Sequence, residues 1–273
     1  MKAKSNILII SDMCGYGKVS AAVQMPILSY MGHDLFNLPT MLISKTFPYG
    51  KYAVMESTSY MKDAMQKWDE LGIHFDAITT GFLASEEQAK MVAHYCREQA
   101  EQGTEIFVDP VMGDYGRLYS GANEGTVRCM REMLGVAHLC FPNYTEACLL
   151  ADVPYKEEGM TEAEAYVLVD KLRAFGSQSV LITTCIVDQQ HAVVGYNHFN
   201  NEHFLLSYEE IPVQFPGTGD IFSSIIVGRL RDGDSLRHAT RTAMDILRNW
   251  IDINKDNEDK NRGIPVERHL SDL

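Results

Sequence analysis

The chain has 273 residues and a formal charge of −13, with a sequence pI near 5.1. This length is enough for one large α/β domain or two small ones, and either can bury a sizeable core. The acidic balance argues against general binding to nucleic acid or to acidic membranes, and no apolar run approaches the ~20 residues of a membrane span.

Cysteine usage and the start of the chain bear on the cellular compartment. The six cysteines are scattered, with no Cys-x-x-Cys pair, so free thiols are expected rather than disulfides or a zinc site. The apolar stretch at residues 7–10 is short, and it predicts a first strand rather than a signal peptide. We therefore predict a cytoplasmic protein.

Taken in order, the chain alternates between predicted strands and predicted helices. The strands are at residues 6–10, 35–43, 77–80, 105–108, 137–141 and 179–182. The helices are at residues 20–31, 57–71, from 85 onward, 145–150 and 161–175. A β-hairpin near 191–208, two further helices from 217 and from 235, and a charged tail near 252–273 complete the chain. We expect residues 252–262 of this tail to be solvated or frayed.

Alternation of this kind over most of the length predicts an α/β fold with an open, mainly parallel sheet and helices on both faces. In such sheets, ligands bind outside the carboxyl ends of the strands. The predicted strand ends carry polar residues and glycines in five places: Ser11-Asp12, Gly81-Phe82, Asp109-Pro110, Pro142-Asn143 and Thr183-Thr184.

Residues 216–220 read Pro-Gly-Thr-Gly-Asp and precede a long apolar run that predicts a buried helix. A helix N-terminus presents unpaired N–H groups and a partial positive charge, so it attracts anions, and glycines let the backbone approach a ligand closely. Asp220 would repel a bound phosphate, unless the anion is transient and Asp220 deprotonates an attacking hydroxyl. These five residues alone favour the simpler interpretation, in which Asp220 is an N-terminal cap.

Two acidic motifs follow later strands. Asp109 and Asp114 flank a proline bend, and such oxygen ligands suit Mg²⁺ shared with substrate phosphates, although a cap and a surface turn explain them equally well. Asn143 begins a helix with Glu146 three residues on, which satisfies a capping box, the interpretation favoured without other motifs. In the functional alternative, Glu146 reaches a magnesium-bound water and Asn143 touches a phosphate.

Two further segments carry groups that can contact phosphates. The hydroxyls of Thr183 and Thr184, at a predicted strand end, either hydrogen-bond phosphate oxygens or simply belong to a β-rich terminus. Residues 116–119 predict a mobile loop, whose Arg117 and Tyr119 either close over phosphates or are only exposed.

Together these motifs resemble the ribokinase-like superfamily of small-molecule kinases, and within it the bacterial pyridoxal/pyridoxamine kinases of vitamin B6 salvage. Each motif is weak alone, and the resemblance rests on their shared order and spacing over roughly residues 6–230. It implies a single ribokinase-like kinase domain over residues 1–273, a three-layer sandwich. The motifs are Ser11-Asp12-x-x-Gly15-Tyr16-Gly17, Leu38-Pro39-Thr40, Thr80-Gly81-Phe82, residues 109–114, Pro142-Asn143-x-x-Glu146-Ala147 and residues 217–220.

The resemblance implies that Asp220 deprotonates the 5′-hydroxymethyl group of pyridoxal, pyridoxine or pyridoxamine, which attacks the γ-phosphate of ATP. The residues implied for the anion hole are Gly217, Thr218 and Gly219. Those implied for substrate binding, besides Asp220, are Ser11, Ser44 and Phe82, the last stacking on the ring. Those implied for ATP binding are Asn143, Thr183, Thr184, Tyr119 and Thr218.

The resemblance also implies two kinds of metal ion and a homodimer. Mg²⁺ would be held by Asp114 and Glu146, directly or through water, and Asp109 with Thr183 would serve a monovalent cation, K⁺ or Na⁺, and the phosphates. The expected partners are therefore a B6 vitamer, ATP and a second copy of the chain, with no nucleic acid and no membrane.

Two departures from the family pattern bear on these roles. Residues 45–48 read Lys-Thr-Phe-Pro where the family commonly has a polar segment with His and Thr, which leaves room for a different hydroxymethyl substrate. Phe141 stands where Thr is frequent, which weakens the cation-site assignment.

The sequence bears on three alternatives to a B6 kinase. Hydroxymethylpyrimidine kinases share the Asp-Pro-Val-Met stretch but usually carry Cys at the position of Asp220, so this residue favours the B6 interpretation. A non-catalytic vitamer-binding protein on the same fold is opposed by the intact acidic motifs. A Rossmann-type dehydrogenase is opposed by Ser20, which stands where the third glycine of Gly-x-Gly-x-x-Gly belongs.

Overall fold

The computed structural model describes residues 4–273, which form two compact units. The first unit joins the residues up to Ala84 with residues 211–273, and the second is Ser85–Glu210. Within the described residues, no helix is both long enough and apolar enough to cross a membrane. The expected single domain over the whole length stays a prediction.

The structure contains eleven strands and eight α-helices in the described part of the chain. The strands are β1 (Asn6–Cys14), β2 (Asp34–Ile43), β3 (Val54–Glu56), β4 (Ala77–Thr80), β5 (Glu105–Val108), β6 (Gly113–Asp114), β7 (Arg117–Leu118), β8 (Leu139–Cys140), β9 (Ser179–Val187), β10 (Gln190–Asn197) and β11 (Glu202–Ser207). The helices are α1 (Ala21–Tyr30), α2 (Thr58–Glu70), α3 (Glu86–Glu101), α4 (Glu124–Leu134), α5 (Tyr144–Ala151), α6 (Glu162–Arg173), α7 (Thr218–Arg231) and α8 (Leu236–Asn254).

In the first unit, the strands lie in the order β4-β1-β2-β3. β1 pairs in parallel with both β2 and β4, and the short β3 adds an antiparallel edge to β2. The continuous apolar run of β1 is fully buried, with Ile7 and Ile10 both 0% exposed, as expected for a central strand covered on both faces. Helix α1 packs against β1 and α7, and α7 packs against α8.

In the second unit, the strands lie in the order β11-β10-β9-β8-β5. β5, β8 and β9 are parallel, whereas β10 is antiparallel to both β9 and β11. The predicted hairpin near 191–208 is therefore confirmed as β10 and β11. The short strands β6 and β7 form a separate two-stranded ribbon directly after β5.

Helix starts follow the capping pattern of the sequence. The Ser85 hydroxyl accepts a hydrogen bond from the backbone N–H of Gln88, as its position before α3 predicts. Complete capping boxes open α5 and α6, where Asn143 and Thr161 are the cap residues. The predicted starts of α3, α5 and α6, all in the second unit, are thus explained by local hydrogen bonds.

Two strands extend further than the sequence predicts. β1 continues through Ser11 to Cys14, where a glycine-containing turn was expected, because residues 13 and 14 still pair with residues 42 and 43 of β2 after a register shift. β9 does not end at Thr183-Thr184 but runs to Val187, because the antiparallel β10 continues to pair with it. Polar side chains at these positions thus belong to strands rather than to loops.

Most of residues 252–262 are exposed, as expected of a solvated tail, although they form regular turns rather than a frayed end. Asp252 still belongs to α8, and short 3-10 turns follow at Lys260–Arg262, Val266–Arg268 and Leu270–Asp272. Ile264 and Val266 are 0% exposed. Burial of these two apolar side chains holds the end of the chain against the first unit, although the surrounding sequence is polar. The composition of the tail alone does not reveal this burial.

Candidate active site

In the first unit, the pairing of β1 with the end of β4 brings Ser11 and Gly81 together. The backbone N–H of Gly81 donates to the carbonyl of Ile10, which continues the pairing of the two strands. The Ser11 hydroxyl is buried and has no hydrogen-bond partner among the described residues. A Cβ at Gly81 would lie 2.5 Å from the Ser11 Oγ, so this hydroxyl can keep its position only beside glycine. A buried hydroxyl without a partner is costly, and a ligand can satisfy it.

Phe82 and Ser44 lie in the same unit but in different surroundings. Phe82 is half-buried and packs against an apolar cluster that contains Cys14, Met41 and Ile43. Ser44 is exposed, and its hydroxyl accepts a hydrogen bond from the backbone N–H of Ala53 at 2.9 Å. The hydroxyl can still donate its own hydrogen. The predicted substrate roles of these two residues stay predictions.

The start of α7 is set by a close backbone approach. Gly217 adopts a φ of 84°, and a Cβ there would lie 2.1 Å from the carbonyl oxygen of Lys18. No side chain caps this helix. A Cβ at Gly219 would meet no atom within 4 Å, so the first turn of α7 faces open space. Uncapped N–H groups beside open space are a suitable anion site.

Asp220 is half-buried in this first turn of α7. Its Oδ2 accepts a hydrogen bond from the backbone N–H of Ser20, at 2.8 Å. The carboxylate is therefore directed toward the start of α1, and it does not cap its own helix. This excludes the simpler interpretation, in which Asp220 is only an N-terminal cap.

A second acid lies close to Asp220. Asp12 is 5% exposed, near the end of β1, and it accepts a hydrogen bond from the Ser20 side chain. Burial raises the pKa of Asp12. Burial and the charge of Asp12 also raise the pKa of Asp220, to about 7, although the hydrogen bond from Ser20 opposes this shift. Asp220 is thus poised to gain and lose a proton near neutral pH.

In the second unit, Asn143 and Glu146 form the capping box that opens α5. The Asn143 Oδ1 accepts from the backbone N–H of Glu146, and the Glu146 Oε2 accepts from that of Asn143, both at 2.9 Å. The other Glu146 oxygen accepts from the backbone N–H of Met112 at 3.0 Å. The Asn143 amide also donates to the carbonyl of Gly113. These bonds fix the turn before β6 against the start of α5.

The acidic pair Asp114 and Glu146 was expected to hold Mg²⁺. Glu146 is 3% exposed; its burial and the nearby charge of Asp114 raise its pKa, and burial also raises the pKa of Asp114. A cation would relieve this cost of ionisation. Among residues 4–273, no three His, Cys, Asp or Glu side chains cluster as a metal cage. Two carboxylates fit Mg²⁺ better than such a cage would, because Mg²⁺ keeps several waters.

Four of the five predicted nucleotide contacts lie in the second unit, whereas Thr218 opens α7 in the first unit. Thr183 is joined to Asn143 by a parallel bridge, and the Thr184 hydroxyl accepts a hydrogen bond from the backbone N–H of Tyr144 at 3.3 Å. Tyr119 is 45% exposed, and Asp109 is half-buried at the end of β5. The structure thus joins Asn143, Thr183 and Thr184 at the start of α5.

Two residues of the first unit, Asp12 and Ser20, were named from the sequence but were given no role in the site. Ser20 adopts a φ of 52°, and it presents its N–H to Asp220 while its hydroxyl binds Asp12. An acid at the end of an otherwise apolar strand was the available indication for Asp12. Ser20 gave no such indication, because its role depends on its contact with Asp220, which lies 200 residues further along the chain.

A family model described as phosphomethylpyrimidine kinase matches residues 52–265. The chain belongs to this family. A relative of this chain, a provisionally named pyridoxal kinase from Schizosaccharomyces pombe, is 25% identical to it over 207 residues. The match covers 71% of this chain and 58% of the length of that relative. Pyridoxal kinase PdxY from Paraburkholderia xenovorans is 26% identical over 251 residues, 86% of this chain and 83% of that protein.

Solved structures resemble this family member over nearly its whole length. A provisionally assigned phosphomethylpyrimidine kinase from Bacteroides thetaiotaomicron, in a crystal form with pyridoxal, is 34% identical, with a TM-score of 0.93 and coverage of 98% and 95%. Pyridoxal kinase from Lactobacillus plantarum is 27% identical, with a TM-score of 0.88 and coverage of 98% and 96%. The expected ribokinase-like α/β fold and the expected phosphotransferase acting on an alcohol are confirmed.

Replacing Asp220 with Asn should reduce the loss of stability with rising pH. The pKa of Asp220 is raised from 3.8 to about 7, so the folded state keeps a proton that the unfolded state has lost. The stabilisation from this proton is complete below the unfolded pKa and is lost as the pH rises through about 7. The midpoint of thermal unfolding, measured at about pH 5 and at about pH 8, reports how much stability each protein loses between the two pH values.

In this comparison, Asp63→Asn on the exposed face of α2 is the matched control, since it removes an acid without these surroundings. We expect wild type and Asp63→Asn to lose the same stability between the two pH values, and Asp220→Asn to lose less. Equal losses in all three proteins would contradict a raised pKa at Asp220.

Proposed function

We propose that this protein is an ATP-dependent kinase that phosphorylates the 5′-hydroxymethyl group of pyridoxal, pyridoxine or pyridoxamine, in vitamin B6 salvage to pyridoxal 5′-phosphate. The observation that carries the proposal is the Asp220 carboxylate, held at the uncapped N-terminus of α7 with a pKa near neutrality. Its support from relatives is the 34% identical Bacteroides thetaiotaomicron protein that was crystallised with pyridoxal.

Asp220 would act as the general base. The hydrogen bond from Ser20 uses Oδ2, so we assign Oδ1 to the acceptor hydroxyl. Oδ1 takes the proton of that hydroxyl as its oxygen attacks the γ-phosphorus of ATP and the bond to ADP breaks. The N–H groups of Gly217, Thr218 and Gly219 stabilise the negative charge of the transferring group.

The acceptor ring would lie against Ser11. The Ser11 hydroxyl lacks a partner among the described residues, so it can hydrogen-bond a polar atom of the ring at no cost to the fold. Glycine at position 81 lets the Ser11 hydroxyl keep its position, and Phe82 would supply an aromatic face. Ser44 is the remaining residue of this proposed acceptor site.

ATP and its metal ions would bind residues of the second unit. We assign the nucleotide to Asn143, Thr183, Thr184 and Tyr119. Asp114 and Glu146 would hold Mg²⁺, which neutralises phosphate charge when it is bound. Asp109 would serve a monovalent cation, K⁺ or Na⁺.

A hydroxymethylpyrimidine is the second candidate acceptor. The family description itself favours it, since it names a phosphomethylpyrimidine kinase. A panel of pyridoxal, pyridoxine, pyridoxamine and hydroxymethylpyrimidine, each assayed for ATP consumption, distinguishes the two candidates. Turnover of the pyrimidine alone would overturn the B6 proposal, and tight vitamer binding without turnover would favour a non-catalytic binding protein.

We also propose a cytoplasmic homodimer. All six cysteines are buried free thiols, as proteins of a reducing compartment have. β3 forms an exposed edge in the first unit, where Val54 and Met55 are 48% and 58% exposed. A second copy is one means of covering such an edge. The mass in solution, measured by light scattering, tests this part of the proposal.

Replacing Asp220 with Ala should abolish turnover without abolishing substrate binding. Loss of a general base lowers kcat by about 10²–10⁴-fold. Phosphorylated product from pyridoxal and Mg-ATP measures kcat, and calorimetry with pyridoxal measures binding. Asp63→Ala is again the control. An Asp220→Ala variant that keeps the wild-type kcat would exclude this residue as the base.

Replacing Gly81 with Ala should weaken acceptor binding. The added methyl group would lie 2.5 Å from the Ser11 Oγ and would displace the hydroxyl that we assign to the ring. We expect the KM for the acceptor to rise about tenfold, the cost of a modest overpacking, while the KM for ATP stays unchanged. An unchanged acceptor KM in a stably folded Gly81→Ala variant would remove Ser11 and Gly81 from the acceptor site.

A further inference from the structure

The chain after α8 contains a segment, residues 259–267, that is built into the first unit. We call it the tail segment. Its apolar side chains Ile264 and Val266 are 0% exposed, and the turn that includes Val266 packs against α1. This burial fixes the course of the segment, so its polar groups meet defined partners rather than solvent.

The tail segment contacts the loop that follows Ser44. The Thr46 hydroxyl donates a hydrogen bond to the backbone carbonyl of Asn261 at 2.9 Å, and Thr46 is 4% exposed. The Tyr49 hydroxyl donates to the Asp259 carboxylate. Thr46 lies within residues 45–48, where the chain departs from the family pattern, and Tyr49 follows directly. Both hydroxyls bind the tail segment.

The tail segment also supports the turn at Gly217. The backbone N–H of Lys18 donates to the carbonyl of Arg262 at 2.7 Å. A Cβ at Gly263, whose φ is 80°, would lie 2.7 Å from the Lys18 carbonyl oxygen and 3.1 Å from that of Pro216. The Lys18 carbonyl is thus enclosed between Gly217 and Gly263. The position of the α7 turn is fixed by backbone contacts from both sides.

We propose that the tail segment is a positioning element of the acceptor site, which fixes the Ser44 loop and the Gly217 turn and thereby sets the affinity for the acceptor alcohol. This inference rests on the proposed function, because that function places the acceptor beside Ser44 and Asp220. The tail segment touches no reacting atom. It acts through Thr46, Tyr49 and Lys18.

The test removes the hydroxyl donors and leaves the tail segment intact, because its truncation would also remove the buried Ile264 and Val266. Thr46→Val and Tyr49→Phe each delete one hydrogen bond with little change in side-chain volume. Loss of one such bond should raise the acceptor KM about three- to tenfold and leave the KM for ATP unchanged. Hydrogen exchange of residues 44–53 should become faster.

A double-mutant cycle shows whether Tyr49 acts through the tail segment. Asp259→Ala removes the acceptor of the Tyr49 hydrogen bond, so it should raise the acceptor KM as much as Tyr49→Phe does. The double variant should be no worse than either single one, because the two side chains share one interaction. Asp259→Asn keeps an acceptor oxygen and should restore the wild-type KM. Tyr60→Phe, on the exposed first turns of α2, is the matched control.

The outcomes separate this inference from the proposed function. If wild type turns over a vitamer, but the variants lose only thermal stability and keep acceptor KM and loop exchange, the tail segment is merely structural and the inference is wrong. If wild type turns over no acceptor of the panel, the proposed function fails. In that case pyridoxal binding by calorimetry replaces KM, and unchanged binding and exchange in the variants overturn the inference too.

Discussion

The hydrogen bond from the Ser20 backbone to Asp220 is the interaction on which the proposed chemistry depends. It turns the carboxylate away from its own helix and brings it near the buried Asp12. The resulting competition is between stabilisation of the charge by Ser20 and its destabilisation by burial and by Asp12. Because the second effect is larger, the pKa rises to about 7, where an acid can serve as a base and then release its proton. The cost is a loss of folding stability at high pH, where the buried Asp220 carboxylate is ionised.

Backbone proximity is the constraint that places this carboxylate. Gly217 contacts the Lys18 carbonyl without a Cβ between them, and Gly263 contacts the same carbonyl from the tail segment. Lys18 leads directly into Ser20, so the start of α7 and the start of α1 are held together by backbone atoms. A Cβ at either glycine would collide with backbone atoms, which cannot move aside as a flexible side chain can. We therefore expect a substitution at Gly217 or Gly263 to displace the starts of both helices, and with them the Asp220 carboxylate.

The sequence predicted the elements with local causes and missed those with distant ones. β4, β5 and the capping box at Asn143 follow from apolar runs and short-range hydrogen bonds. The extension of β9 past Thr184 depends on its pairing with β10, and the order in the tail depends on the burial of Val266 against α1. In the site, Asp220 was recognised from its motif, but its pKa is raised by burial and by the charge of Asp12, against the hydrogen bond from Ser20. Both residues lie about 200 positions away in the chain, so the motif alone does not reveal the shift.

The pH dependence of kcat/KM for the preferred vitamer is the most direct test of Asp220 as the base. The unprotonated carboxylate is the active form, so the rate should rise with pH and level off above a pKa of about 7. The free acceptor is titrated separately, so that its own ionisation is subtracted from the profile. A corrected profile that stays flat between about pH 5.5 and about pH 8 would contradict the account, because a base of this pKa must be protonated over the lower half of that range.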